Sequence, residues 1–269
     1  MIPPLLLLGC GKMGGAMLAG WIERGLSPET VVVEPQAAAT APFAGRVRAI
    51  RDTGSIPKGF APAGIVLATK PQEAPAALPA LAGLAVGGAV ILSIMAGRTV
   101  AGLRALLGTA APVVRAMPNT PAAIRQGFTV AFAGEGVTPQ QRALCDTLLG
   151  AIGECAWVAE EGMLDAVTAI SGGGPAYVFL LAEMLERAAL AQGLPPELAR
   201  RMARATVAGS GALLGASAED AATLRRNVTS PAGTTERALA VLMEESAWPR
   251  LMERAIDAAT LRSRELAAG

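Results

Sequence analysis

The sequence predicts an α/β fold, in which a parallel sheet covered by helices forms the first part and an all-helical region the second. Up to about residue 160, short runs of β-branched and leucine residues alternate with alanine- and leucine-rich stretches, a pattern typical of βαβ units. Beyond that point the strand-like runs stop and helical stretches follow one another. We therefore expect two domains, covering residues 1–160 and 161–269.

Eight apolar runs are the predicted strands. Most are continuous, as expected for strands that are buried on both faces of a parallel sheet. They cover residues 5–9, 31–34, 47–50, 65–69, 90–94, 112–117, 128–133 and 154–158. In the second part, stretches between glycine- and proline-containing breakers are predicted helices. They cover residues 163–191, 196–215, 219–226, 235–246 and 249–267.

Composition excludes several classes of function. Lys and Arg total 23 against 22 Asp and Glu, so no basic field attracts nucleic acid. The chain has no histidine, which excludes a Ser-His-Asp triad and an imidazole zinc site, and we predict no metal site. Three separated cysteines without CxxC spacing indicate a reducing cytoplasm. The N-terminal run IPPLLLLG is too short to span a bilayer, and we predict no membrane association.

The C-terminal helices are poor in charge. The run 205–218, ATVAGSGALLGASA, is apolar or small over most of its circumference. Either these helices form a tight core within one chain, or they form an interface between subunits. We favour the interface and expect a homo-oligomer.

A glycine-rich loop follows the first predicted strand. Gly9, Gly11 and Gly14 have G-x-G-x-x-G spacing at the start of a predicted helix, which is typical of a Rossmann dinucleotide-binding turn. Glu34 lies 20 positions past Gly14, where a ribose contact is expected. The alternative is a turn with a structural role alone. Glu34 favours NADH by repelling a 2′-phosphate, but the predicted cofactor remains NADPH or NADH.

Two further segments follow predicted strands at the edge where ligands of parallel sheets bind. They are ATKPQ (residues 68–72) and SIMAG (residues 93–97). Lys70 is either a surface lysine or a contact to the cofactor.

The segment TSPAGTT, residues 229–235, leads into a predicted helix. Free amides at a helix start bind anions, and hydroxyl groups there can hydrogen-bond a polar ligand. The alternative is an ordinary N-cap, for which Ser and Thr are favoured residues.

Six segments together resemble the pyrroline-5-carboxylate reductase family. They are GCGKMG, ATKPQ, SIMAG, AMPNTPA (116–122), DAVTAISGGGPAYVF (165–179) and LRRNVTSPAGTTERALAVLME (224–244). The resemblance implies reduction of the cyclic imine 1-pyrroline-5-carboxylate to L-proline by NAD(P)H, the last step of proline biosynthesis. It also implies a Rossmann domain and a helical domain that forms homodimers, which often assemble into decamers.

The resemblance also implies site residues. Dinucleotide contacts fall on Gly9, Cys10, Gly11, Lys12, Met13, Gly14, Ala68, Thr69, Lys70, Pro71, Met95, Ala96, Gly97 and Asn227, to which we add Glu34. Substrate contacts fall on Glu161, Thr234 and Thr235, to which we add Ser230 and Gly233. Thr235 is the predicted catalytic residue. Without the resemblance, Glu161 would be interpreted as a solvated carboxylate.

The sequence departs from the family pattern at three places. Ala232 stands where the family has Gly, Gly173 where it has Ser, and RDTGS (51–55) where an Asn commonly follows the third strand. Two other functions stay open: a related imine or β-hydroxyacid dehydrogenase, and a non-catalytic dinucleotide-binding protein. The dehydrogenase should carry a helix lysine as proton donor, whereas the only lysines are Lys12, Lys58 and Lys70.

Overall fold

A computed structural model describes residues 1–268. Its eight strands lie where the sequence predicts them, within one or two residues. They are β1 (Leu5–Leu8), β2 (Val31–Val33), β3 (Arg48–Ile50), β4 (Gly64–Leu67), β5 (Val90–Ser93), β6 (Val113–Met117), β7 (Gly127–Ala133) and β8 (Gly153–Val158).

Helices occupy most of the remaining chain. They are α1 (Lys12–Glu23), α2 (Ala37–Thr40), α3 (Ala74–Ala77), α4 (Ala82–Val86), α5 (Val100–Leu107), α6 (Pro139–Gly150), α7 (Met163–Val167), α8 (Gly174–Ala191), α9 (Pro196–Ala216), α10 (Ala221–Asn227), α11 (Thr234–Leu242) and α12 (Trp248–Ala268). The single helix predicted over 163–191 is wrong in detail, because a π-helical turn over residues 168–172 separates α7 from α8. Three consecutive glycines, which are weak helix formers, lie at 172–174, where this turn ends and α8 begins.

The strands form one sheet in the order β3-β2-β1-β4-β5-β6-β7-β8. The predicted α/β fold is confirmed. All neighbouring strands are parallel except the pair β6 and β7. Strand β7 runs antiparallel to β6, with Met117 opposite Val130. Residues 118–126 are too few for a helical crossover, which parallel strands require, so the chain turns back directly. The predicted parallel sheet thus contains one antiparallel strand pair.

Alternate residues of the strands enter two hydrophobic cores. On one face, Leu5 and Leu7 of β1 pack with Trp21 of α1 and Leu148 of α6. On the other face, Leu6 and Leu8 join a cluster that contains residues of α5 and of the 3-10 turn over 78–81. Helices therefore cover both faces of the sheet, as predicted.

The described chain divides into two compact units. The first comprises residues 1–172 together with the segment from 259 onward, and the second comprises residues 173–258. The predicted domain limit after residue 160 follows the last strand and stays a prediction. Helix α12 contributes its first turns to the second unit and its last turns to the first unit.

The second unit has almost no interior of its own. Within residues 173–258, all of which the structure describes, only Ala199 and Ala203 are buried. Large apolar side chains are exposed along α8 and α9, including Phe179 at 63% and Leu213 at 56%. These helices therefore do not form a tight core within one chain, and they present an apolar surface suited to another subunit.

One helical stretch, Met163–Ala191, is long and apolar enough to cross a membrane by length and composition alone. The mean hydropathy of its most apolar window is 1.3, and 17% of that window is buried. An exposed apolar helix of this kind also suits a protein interface.

Candidate dinucleotide and substrate sites

The glycine loop lies at the point where the strand order reverses. Strand β1 is flanked by β2 and β4, and the loop leaves its carboxyl end before α1 begins at Lys12. Open α/β sheets bind their ligands in the crevice at such a point. Gly9 has φ +92, and a side chain there would lie 2.8 Å from the backbone of Ala68. The loop and the segment after β4 are therefore in direct contact.

Glu34 is joined to the glycine loop. Its Oε2 accepts a hydrogen bond of 2.8 Å from the amide of Cys10, and its Oε1 accepts one of 3.0 Å from the amide of Gln36. The carboxylate at the end of β2 is thus held in place beside the loop. Such a position agrees with a ribose contact, although the contact itself remains a prediction.

The two segments after β4 and β5 are tied together by an arginine that sequence reasoning missed. The Arg98 guanidinium donates two hydrogen bonds, of 2.9 and 3.2 Å, to the carbonyl oxygen of Pro71. Met95 is buried, while Ala96 and Lys70 are exposed. The only sequence signal for Arg98 is its position directly after SIMAG. It holds two predicted cofactor segments in a fixed relation.

Two observations show that this edge of the sheet suits a dinucleotide. A Cβ added at Gly11 would meet no described atom within 4 Å, so the loop leaves open space at the glycine where a pyrophosphate would approach the backbone. The Thr69 hydroxyl oxygen is buried and has no hydrogen-bond partner among the described residues. A bound nucleotide would fill the space at Gly11 and would offer a hydrogen-bond partner to the Thr69 hydroxyl.

Glu161 is not a solvated carboxylate. Its Oε1 accepts a hydrogen bond of 2.8 Å from the amide of Val100, at the start of α5, and lies 3.3 Å from Nη1 of Arg115. Arg115 is itself 4% exposed. A carboxylate at a helix N-terminus is stabilised by the free amides there. Glu161 therefore holds the start of α5, which follows the 95–97 segment closely in sequence.

The start of α11 differs from an ordinary threonine cap. The N-cap residue is Gly233, which makes no side-chain capping bond, so Thr234 and Thr235 are the first two helical residues. The start of a helix offers free amides, and Gly233 is a predicted substrate contact. Its amide is nevertheless engaged, because the N–H donates to the carbonyl of Ser230 at 3.0 Å. The amides of Thr234 and Thr235 lie in the first turn, where no helical acceptor exists. Both threonines are exposed in the described unit.

The loop before α11 contains a backbone conformation that favours glycine. Ala232 has φ +57, and its amide donates to Oε2 of Glu236 at 2.8 Å. The residue that departs from the family pattern therefore adopts the left-handed conformation that glycine would accept without strain.

Asn227, the last residue of α10, has a partner within its own unit. Its Nδ2 donates to Oε2 of Glu219 at 3.1 Å. Its predicted contact with the dinucleotide remains a prediction.

A further polar pair in the first unit was missed by sequence reasoning. Asn119 donates from Nδ2 to the Ser171 hydroxyl at 3.3 Å and accepts from the amide of Phe128 at 2.8 Å. A Cβ at Gly172 would lie 2.8 Å from Cε of Met117. Met117, the last residue of β6, and Asn119 thus pack on the π-helical turn, which explains the need for a small residue at 172.

The three cysteines are free thiols. Burial, reinforced by the Glu34 carboxylate, raises the pKa of Cys10 to about 11. Burial likewise raises the pKa of Cys145 to about 12 and that of Cys155 to about 11. All three are therefore protonated at neutral pH, and Cys10 adds no negative charge to the glycine loop.

Comparison with known proteins gives the family. Residues 161–266 match the family model for pyrroline-5-carboxylate reductase dimerisation, and residues 5–97 match that for NADP oxidoreductase, coenzyme F420-dependent. A pyrroline-5-carboxylate reductase from Pseudomonas aeruginosa is 39% identical over 267 residues, covering 98% of this chain and 97% of the relative. The chain belongs to the pyrroline-5-carboxylate reductase family.

Two solved structures of pyrroline-5-carboxylate reductases resemble the whole chain. That from Coxiella burnetii superposes with a TM-score of 0.90 at 31% identity, covering 99% of both chains. That from Plasmodium falciparum, which has NADP bound, superposes with a TM-score of 0.80 at 25% identity, covering 98% of both chains. The match to a dimerisation region agrees with the exposed apolar helices of residues 173–258 and indicates an oligomer.

Proposed function

We propose that the protein reduces 1-pyrroline-5-carboxylate to L-proline by hydride transfer from NADPH or NADH, the last step of proline biosynthesis. The observation that carries the cofactor part is the glycine loop at the reversal of strand order, where Gly11 leaves open space and Gly9 lies against Thr69, whose hydroxyl oxygen is buried without a described partner. The family of the chain carries the choice of substrate.

In this proposal the cofactor residues come from three neighbouring strand ends. The loop from Gly9 to Gly14 follows β1, the segment Ala68–Pro71 follows β4, and Met95–Gly97 follows β5. Amides at the start of α1 stabilise the pyrophosphate, while Glu34 hydrogen-bonds the ribose. Asn227 is the one proposed cofactor residue in the second unit.

The proposed substrate residues need to bind a carboxylate without neutralising a protonated imine. Amides at the start of α11 meet this requirement, because they carry a partial positive charge and are too weakly basic to take the proton from the imine. The amides of Thr234 and Thr235 hold the carboxylate, and Ser230 and Gly233 shape the preceding turn. Glu161 remains a proposed substrate residue, although its Oε1 already binds Val100 and Arg115.

The chemistry requires little acid–base catalysis from the protein. When bound, NAD(P)H supplies the hydride. The Thr235 hydroxyl oxygen accepts a hydrogen bond from the protonated ring nitrogen and orients the C=N bond, which makes Thr235 the proposed catalytic residue. Because the substrate binds already protonated, no imidazole is needed, in agreement with a chain that lacks histidine.

Two finer statements belong to this proposal. We place the enzyme in the cytoplasm, which the three free thiols support. We also propose that the homodimer assembles into a decamer and that neither nucleic acid nor a membrane is a partner. The balance of 23 basic and 22 acidic residues supports the exclusion of nucleic acid.

The proposal is tested by incubating the protein with pyrroline-5-carboxylate and NADPH or NADH, and following the nicotinamide absorbance. Substrate-dependent oxidation is expected. Binding of NAD(P)H without oxidation would support the non-catalytic dinucleotide-binding alternative. Oxidation with a β-hydroxyacid or a different imine in preference would support the related dehydrogenase.

The role of Thr235 has its own test. Thr235→Ala removes a hydrogen bond to a charged group, worth about 1.5–3 kcal/mol, so kcat/KM should fall about tenfold to a hundredfold. Stability should change by less than about 0.5 kcal/mol, because the cap is Gly233. Thr147→Ala, at an exposed helical threonine of α6, is the control. Unchanged kinetics in Thr235→Ala would refute the catalytic role.

A further inference from the structure

The final turns of the chain lie against the segment after β5. Gly97 has φ +68, and a Cβ there would be 3.0 Å from Cβ of Leu266 and 3.2 Å from its carbonyl oxygen. Both residues belong to the first compact unit. α12 therefore approaches Gly97 so closely that a side chain at position 97 would push against Leu266, in addition to the strain of a positive φ there.

A buried hydrogen bond holds this end of α12 in place. The Ser263 hydroxyl donates to Oδ1 of Asp165 at 2.7 Å, across 98 positions of sequence. Ser263 is 5% exposed and Asp165 is 8% exposed, which makes this polar pair an exception among mostly apolar buried residues. A buried carboxylate that lost its partner would be destabilised, so the pair strongly favours one position of the helix.

The same segment is held on its other sides. Arg98 binds the carbonyl of Pro71, and the amide of Val100 binds Glu161. Glu161 lies just before α7, and Asp165, four positions later, lies within it. Residues 95–100 are thus held at three places: by Pro71 at Arg98, by Glu161 at Val100 and by Leu266 at Gly97. Only the contact with Leu266 comes from α12.

We propose that Ser263 is a positioning residue for the cofactor site: through Asp165 it holds Leu266 against Gly97, and so sets the position of Met95–Gly97 for NAD(P)H. The inference rests on the proposed function for the assignment of that segment to the cofactor. Neither Ser263 nor Leu266 needs to touch the cofactor.

The test is a titration of NAD(P)H binding, which needs no substrate. In Ser263→Ala we expect the Kd to rise about threefold to tenfold, in the range that couplings between contacting groups produce. Hydrogen exchange should become faster in the 94–100 amides and stay unchanged in β4. Ser263→Thr, which keeps the hydroxyl, should restore most of the affinity.

A matched control removes a buried hydroxyl at the opposite edge of the sheet. The Thr30 hydroxyl accepts from the amide of Leu5 at 3.2 Å, and Thr30 directly precedes β2. Thr30→Val should lower stability but leave the Kd of NAD(P)H unchanged. An equal rise in Kd for both variants would show a general effect of stability and would overturn the proposal.

A second pair keeps the proposal testable if Ser263→Ala does not fold. Leu266→Ala retains the Cβ that lies nearest to Gly97, whereas Leu266→Gly removes it. We expect wild-type affinity in the first and a raised Kd in the second. Equal affinities in the two variants, with unchanged exchange at 94–100, would overturn the proposal. If the wild type binds NAD(P)H but does not reduce pyrroline-5-carboxylate, the proposed function fails while this comparison still stands.

Discussion

At the scale of single residues, the glycine loop combines close packing with open space. Gly9 and Gly14 are needed because neighbouring backbone leaves no room for a side chain, with 2.3 Å separating a Cβ at Gly14 from the carbonyl oxygen of Gly9. Gly11 is different, since nothing described lies within 4 Å of a Cβ there. A substitution at Gly11 should therefore affect the ligand more than the fold.

We expect Gly11→Val to weaken NAD(P)H binding at least tenfold, or about 1.4 kcal/mol, because a branched side chain would occupy the approach of the pyrophosphate. The melting temperature should change little. Titration of NAD(P)H by fluorescence measures the effect, and Gly83→Val, at another open glycine in α4, is the control. Unaltered affinity in Gly11→Val would contradict the dinucleotide site.

Glu34 should influence the choice between the two nicotinamide cofactors. Its carboxylate is held beside the loop by the amides of Cys10 and Gln36, and its negative charge disfavours a 2′-phosphate. NADH should be at least competitive with NADPH in the wild type. Glu34→Gln keeps an acceptor oxygen and removes the charge, so the kcat/KM ratio of NADPH to NADH should rise about threefold to tenfold.

The exposed Glu29→Gln is the control for Glu34→Gln and should leave the ratio unchanged. A wild-type preference for NADPH of about a hundredfold or more, equivalent to about 2.7 kcal/mol, would show that Glu34 does not disfavour the phosphate.

At the scale of secondary structure elements, the loop before α11 is held in a conformation that its own sequence disfavours. A left-handed backbone costs an L-residue about 1–2 kcal/mol, and Ala232 adopts it at φ +57. Its amide bonds Glu236, the third residue of the helix, which offsets part of that cost.

Ala232→Gly should therefore stabilise the protein. Relief of strain exceeds the entropy that glycine adds to the unfolded chain, about 0.4–1 kcal/mol, and leaves a net gain of about 0.5–1 kcal/mol. Chemical denaturation measures this gain. Ala238→Gly, at an exposed right-handed position of the same helix, should instead destabilise by about 0.5–1 kcal/mol. Destabilisation of similar size in both variants would contradict the strain at 232.

Local sequence pattern predicts most elements but not the links between them. All eight strands and the glycine loop follow from runs and spacings within a few residues. The reversal at β7 depends on the length of the connection, and the attachments of Arg98, Glu161 and Ser263 join residues 27, 61 and 98 positions apart. Contacts between residues so far apart leave no periodic pattern in the sequence. The predicted cofactor segments could therefore be identified from the sequence, whereas the contacts that hold them could not.

At the scale of the whole molecule, the helical unit matches a dimerisation region and has almost no interior of its own. Its 173–258 segment buries only Ala199 and Ala203 within one chain, so its apolar side chains are available for an interface. An interface of this type resembles a core divided between two chains, and the stability of such a protein depends on protomer concentration.

Phe179→Asp should dissociate the oligomer. The side chain is 63% exposed within the protomer, so a charge there leaves the protomer's packing intact. Burial of Phe in an interface is worth about 1.5–3 kcal/mol per protomer, and Asp would remove this stabilisation. Sedimentation should show a lower mass and calorimetry a lower Tm. Val86→Asp, at a 73% exposed position of α4 in the first unit, should remain oligomeric. A wild-type protein that sediments only as the 27.2 kDa species at micromolar concentration would contradict the interface.

The return of α12 to the first unit also bears on the order in which the protein is made. Synthesis proceeds from the N-terminus, and domains that are contiguous in sequence can fold while later parts are still being added. The unit that contains the glycine loop is not contiguous, because its last segment begins at Ala259. Gly97 meets Leu266 only after the 168 intervening residues have been translated. A nascent chain therefore gains the contact that α12 makes with Met95–Gly97 long after this segment has been synthesised, and a chain terminated before Ala259 would lack that contact.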